Sequence, residues 1–131
     1  MATPNFSYTA HDGSSGTLKD FRGKQNLLLV LFSWPESRVR LDQLRTASTA
    51  ITTTGTAILA VPMTDLPPNE LTSLAQGMPF PVITQGGREI SRSYALFRRT
   101  LSIPDLFGEG TRQSHMEFLF DRFGYLRARW I

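Results

Sequence analysis

The 131-residue chain is 40% hydrophobic and 19% charged, the balance of one ordinary globular domain with a real core, which excludes a disordered segment. It contains no cysteine, so disulfides, thiol catalysis and zinc–thiolate sites are excluded. The net charge of +3 comes almost entirely from scattered arginines, Lys19 and Lys24 being the two lysines; this reads as a solvated face without the dense basic stripe of a nucleic-acid surface.

In chain order, "PNFSYTA" alternates apolar and polar at Phe6, Tyr8 and Ala10, as a half-buried strand does. The turn cluster "HDGSSGT" follows, and Thr17-Leu18 returns as a short second strand. "LKDFRGKQ" makes an irregular elbow in which Gly23 takes a positive φ. Leu27 to Phe32 is six consecutive apolar residues, the pattern of a central strand buried on both faces. It is also the longest apolar run, too short to span a bilayer, so no direct membrane insertion by this segment is expected.

A helix is expected from Pro35, with Ser33 as cap, Glu36 near the positive end, and Val39, Leu41, Leu44, Ala47, Ala50 and Ile51 along one face. "TTTG" ends it at Gly55, and "TAILAVPM" is the next buried strand. A helix over "NELTSLAQG" follows, with Asn69 as its cap. "MPFPVIT" is a short strand, "QGGR" a turn, and "EISRSYALFRR" a helix with Ile90, Tyr94 and Leu96 or Phe97 inward. After the loop "LSIPDLFGEGTRQS", the segment "MEFLFDRFGYLRARWI" forms a hairpin turning at Gly124. In its second strand Tyr125, Arg127 and Arg129 share one face, and Leu126, Ala128 and Trp130 the other. The order β-β-β-α-β-α-β-α-β-β predicts an α/β three-layer sandwich around a mixed sheet, residues 1–131 forming a single domain.

With these residues, that order resembles the thioredoxin-like superfamily, in its redoxin branch of AhpC/TSA, TlpA/ResA-like and Sco-like proteins. "PNFSYTAHDGSSGTLKDFRGK" resembles the branch's opening hairpin and elbow, and "NLLLVLFSW" the strand entering the active-site turn. "FPVITQGGREISRSYALF" and "FLFDRFGYLRARW" are similar to its later strand–turn–helix and hairpin. The resemblance implies a central mixed sheet with helices on both faces and an N-terminal β-hairpin. It places the family's redox turn at Trp34, Pro35, Glu36, Ser37 and Arg38, where no cysteine stands, and puts His115 where most members have a cis-proline. The two altered places should therefore be neighbours. The Sco-like copper set is absent by direct comparison, its histidine position falling near Gln113.

Family members continue past the last hairpin into a helix, whereas this sequence stops at Trp130-Ile131. The expectation is that the C-terminal helix is missing and that Phe118, Phe120 or Trp130 is left on an uncovered sheet face. That implies excision from a longer polypeptide, or self-association through the open face. By resemblance the parent is bacterial and periplasmic or envelope-facing; a complete chain would be cytoplasmic, since "MATPNFSYT" has no signal-peptide pattern.

Three chemistries compete for the altered turn. A trio of Ser37, His115 and Glu36 offers nucleophile, base and orienter types, although its order and spacing match no hydrolase signature, and ordinary surface residues are the simpler reading. His115 and Met116, with Met63 or Met78, are soft copper ligands by type, but adjacent strand residues point to opposite faces. The reading taken is a redox-inactive interaction or ligand-recognition module. No cofactor or metal is expected, and a protein or peptide partner meets Trp34, Pro35, Glu36, Ser37, Arg38, His115 and Met116. By resemblance its setting is thiol–disulfide traffic, cytochrome c assembly or copper handling. The alternative is a non-thiol enzyme or metal-binding domain using Glu36, Ser37 and His115.

Overall fold

The computed structural model describes residues 6–21, 23–63, 66–85, 90 and 115–130. Strands β1 (Ser7–Ala10) and β2 (Ser15–Thr17) form the opening hairpin. A single 3-10 turn, Leu18–Phe21, then leads to β3 (Asn26–Phe32), α1 (Arg38–Thr53), β4 (Thr56–Pro62), α2 (Pro68–Gln76), β5 (Ile83–Gln85), β6 (His115–Phe120) and β7 (Leu126–Trp130). Leu18, expected at the end of a strand, instead starts the 3-10 turn and is buried. Gly23 has φ +79°, as the elbow requires.

The described residues form two sheets. The larger runs β4-β3-β6-β7, with β3 parallel to β4 and antiparallel to β6, and β7 antiparallel to β6. The smaller is antiparallel, β2-β1-β5. A parallel bridge from Ala60 to Val82 joins them, and His11 locks the seam: its N–H donates to the Val82 carbonyl while its Nδ1 accepts the Val82 N–H at 3.0 Å.

β3 is the axis of the core because both of its faces are apolar. Leu27, Leu29 and Leu31 pack with Leu59, Val61, Met116, Phe118 and Phe120 on one side. Leu28, Val30 and Phe32 pack on the other with Ile58 and Ala60, under Leu41 and Leu44 of α1 and Leu71 and Ala75 of α2. Both described helices thus cover the same face. The opposite face receives Leu18 from the 3-10 turn and Ile90, which is fully buried. The rest of the predicted 89–99 helix, with Tyr94, Leu96 and Phe97, and the 101–114 loop lie outside the described residues.

Five expectations need correction. α1 begins at Arg38 rather than at Pro35, because residues 33–37 close a tight turn in which the Ser37 N–H donates to the Ser33 carbonyl and the Arg38 N–H to the Pro35 carbonyl. Ser37, not Ser33, is then the capping position, and Leu41, Leu44 and Ser48 are the buried stripe with Ile51 half-buried. Val39 is 71% exposed, and Ala47 and Ala50 also face solvent, because at about 100° per residue they lie outside the stripe of Leu41, Leu44, Ser48 and Ile51 that meets the sheet. α2 is capped by Pro67 with Pro68 in its first turn, a place where proline loses no hydrogen bond, so Asn69 is already helical. Phe118 and Phe120, expected on an open face, are 0% and 1% exposed.

Candidate functional site

The site forms where the head of α1 meets the first strand residues of β6. Register places His115 opposite Phe32, at the end of β3 from which the chain turns into α1, and Glu117 opposite Val30. Side chains two apart in a strand share a face, so His115 and Glu117 both point toward α1, while Met116 between them is buried in the core cluster on the far side. Ser37 and Arg40 are three apart at the helix start and project from one face.

These four side chains form one hydrogen-bonded series. Arg40 grips Glu117 with two parallel bonds, Nε to Oε2 at 2.6 Å and Nη2 to Oε1 at 2.8 Å, the fork geometry that suits guanidinium and carboxylate. Glu117 Oε2 lies 2.7 Å from His115 Nε2, and His115 Nδ1 lies 2.7 Å from Ser37 Oγ. Ser37 Oγ also accepts the Ser33 backbone N–H at 3.0 Å. The buried carboxylate side chain is 3% exposed, His115 22% and Arg40 45%.

Electrostatics keeps the Glu117 carboxyl ionised. Burial alone would push the Glu117 carboxyl up, but the hydrogen bonds and charge of Arg40 and the hydrogen bond from His115 outweigh it, and its pKa falls to about 2. The same bond holds Arg40 above its ordinary value, against the opposing effect of its partial burial. An ionised carboxylate only accepts, so His115 Nε2 carries a proton. When the ring carries that one proton, Nδ1 accepts and the Ser37 hydroxyl donates to it, while the Ser37 oxygen takes the Ser33 N–H on its lone pair.

The structure thus brings together Ser37 and His115 from the predicted set and replaces the expected Glu36 with Glu117. Glu36, inside the turn, is exposed and has no hydrogen bond or ion pair among the described residues. Trp34 is half-buried against the core beneath α1, Pro35 follows it through a cis peptide, and Pro35, Arg38 and Val39 are exposed. Arg40 and Glu117 were missed. The legible signal was a glutamate inside the apolar stretch "HMEFLF": a charged residue on a covered strand face requires a partner.

A serine, an imidazole and a carboxylate in hydrogen-bond reach are the parts of a nucleophilic triad. Here the nucleophile has no approach: Ser37 is 2% exposed, with its oxygen already engaged by Ser33 and His115. Met116, one of the expected soft ligands, faces away from His115, and among the described residues no group of three or more His, Cys, Asp or Glu is placed to hold a metal ion. Among these residues, no helix is long and apolar enough to cross a membrane.

Solved structures share this fold at low identity. A candidate protein disulfide isomerase of Bacteroides thetaiotaomicron superposes with a TM-score of 0.75 at 20% identity, over 98% of this chain and 76% of that one. A thiol:disulfide interchange protein of the thioredoxin family from Chlorobium tepidum gives 0.73 at 17%, over 100% and 85%. The exposed lipoprotein thioredoxin of Streptococcus pneumoniae gives 0.65 at 14%, over 97% and 88%. No curated protein sequence matches the chain. The AhpC/TSA family profile spans residues 1–129. Because that profile covers nearly the whole sequence, the chain belongs to the AhpC/TSA family, and it carries a thioredoxin-like fold without a cysteine.

Proposed function

We propose that this domain is a redox-inactive recognition module whose former redox turn, held rigid by the Ser37–His115–Glu117–Arg40 series, presents Trp34, Pro35, Glu36, Arg38 and Val39 to a protein or peptide partner. The observation carrying the reading is that the turn is tied down from within while its outer residues stay exposed. A rigid surface binds with less ordering entropy than a mobile one, and a large apolar side chain 71% exposed beside a half-buried tryptophan supplies anchor chemistry. The similarity to thiol:disulfide interchange proteins supports a setting in thiol traffic, and with it an envelope-facing location within a larger bacterial protein. Cytochrome c assembly and copper handling are neighbouring settings by resemblance.

Isotope-labelled domain titrated with thioredoxin-family partner proteins should show saturable amide shifts concentrated in residues 33–40 and 115–117. Val39→Ser and Glu36→Lys, both on exposed positions, should weaken that binding about tenfold each with unchanged thermal stability, as expected for anchors at a compact interface. Shifts confined to another face, or binding indifferent to both substitutions, would end this reading.

The second reading, a non-thiol hydrolase, is favoured by one observation, the 2.7 Å contact between Ser37 and His115. It requires Ser37 to react with a serine-directed sulfonyl or phosphonyl fluoride and an ester hydrolysis that Ser37→Ala abolishes. The burial of Ser37 makes absence of labelling the expected result.

A further inference from the structure

The opposite end of β3 from Ser37 and His115 carries a second feature that the recognition reading does not use. A cleft of about 300 Å³ opens there between the elbow before β3, the end of α1 and the β6–β7 turn, lined by Lys24, Gln25, Asn26, Thr54, Gly55 and Arg122. We propose that this cleft binds a small oxyanion of the phosphate type.

The inference rests on how donors and acceptors are distributed. Two of the six lining residues are cations and none is a carboxylate. Among the described residues Lys24 has no ion pair, and the Arg122 guanidinium is steadied over the Phe123 ring, 5.4 Å from its centroid, rather than neutralised. The adjacent carboxylate, Asp121, is already committed: Arg127 Nε donates to it at 2.6 Å, and the N–H groups of Phe123 and Tyr125 donate to its other oxygen. Asn26 is oriented as well, since its Oδ1 accepts the Arg122 N–H at 3.0 Å and its amide nitrogen is left as the donor.

Several backbone carbonyls around the cleft are engaged internally. At the end of α1 the Ile51 carbonyl takes the Thr54 N–H and hydroxyl, and the Thr52 carbonyl takes the Gly55 N–H. The Gly55 carbonyl takes the Asn26 N–H, and the Phe21 carbonyl takes the N–H groups of Lys24 and Gln25. The residues lining the opening thus bring to it an ammonium, a guanidinium and side-chain amide donors, with no carboxylate among them. That set suits an oxyanion with several acceptor oxygens, and the space is several times the roughly 30 Å³ of one water. Two cations favour a dianion over a monoanion.

Amide spectra of the intact chain, titrated with sodium phosphate at constant ionic strength, test this against sodium acetate and sodium chloride. The expected result is saturable shifts of Lys24, Asn26 and Gly55 with phosphate, weaker with acetate and absent with chloride. Lys24→Gln with Arg122→Gln should lower phosphate affinity at least about tenfold, the size of one or more lost charge-assisted bonds, while leaving the spectrum of residues 33–40 unchanged. A phosphoserine peptide run in parallel separates the two sources of the same chemistry. Tighter binding than free phosphate places the anion on a protein partner, and equal affinity places it on a small molecule. Shifts that fail to saturate, that chloride reproduces, or that survive the double substitution overturn the proposal. The turn at Trp34 enters only as the unchanged control, so failure here leaves the recognition reading standing, and the converse also holds.

Discussion

At the scale of single residues, Glu117 decides the character of the site. A carboxylate side chain 3% exposed inside an apolar strand is tolerable only because three hydrogen bonds converge on it. Its pKa, near 2 rather than the ordinary 4.5, ties stability to pH. The folded carboxyl releases its proton more readily than the unfolded one, so the stabilisation is complete above about pH 4.5 and disappears as pH falls toward 2. The full shift corresponds to about 3 kcal/mol, and the 45% exposure of Arg40 screens part of it, leaving roughly 1–3 kcal/mol. Urea unfolding from pH 6 to pH 2 should therefore show a loss of that size in the native chain and a flatter curve in Glu117→Gln. Parallel curves for the two would remove Glu117 from the account.

The elements explain why the series forms and how much of it could be read in advance. The six-residue apolar run and the β6–β7 hairpin with its turn at Gly124 were legible, because each rests on an apolar pattern or on a residue type with one strong conformational preference. The start of α1 was not. Pro35 and Glu36 satisfy the local rules for a helix start, but the tight turn held by Ser33 and Ser37 overrides them, a tertiary effect with no local signature. On the helix that follows, Val39 lies on the solvent side and Arg40 lies over Glu117. His115 beside Ser37 was reachable only through the family alignment. The choice between Glu36 and Glu117 required strand register, which composition does not encode.

The bond between α1 and β6 should be asymmetric in its energetics. Arg40→Ala leaves a buried anion with His115 as its remaining side-chain partner, a loss of about 3 kcal/mol. Glu117→Gln leaves Arg40 free to turn its half-exposed guanidinium into water and should be milder. A double-mutant cycle read by chemical denaturation should give a coupling of about 1–3 kcal/mol between the two positions, because the second substitution removes a group that the first has already stranded. Additive losses would mean that the fork contributes nothing beyond its parts.

At the scale of the whole molecule, the two ends of β3 carry different chemistry and the two faces of β3 carry the core. One end meets the buried serine–histidine–glutamate–arginine series, the other the cationic cleft, and the apolar strand between them is packed on both sides. The face away from α1 and α2 is where an association surface was anticipated, and its filling can be tested directly. Phe118 and Phe120 stack there with centroids 6.5 Å apart, closed over by Leu18 and Ile90. Phe118→Ala should destabilise the domain by roughly 3–5 kcal/mol, the range for an aromatic ring removed from a filled core, whereas Phe123→Ala, 63% exposed at the hairpin turn, should stay within about 0.5 kcal/mol. Sedimentation of the same variants completes the argument. A ring buried within the domain changes stability at every protein concentration alike, whereas a ring buried between two copies would change the concentration dependence instead. A Phe118→Ala variant that unfolds no more easily but no longer self-associates would return that face to the role first expected of it.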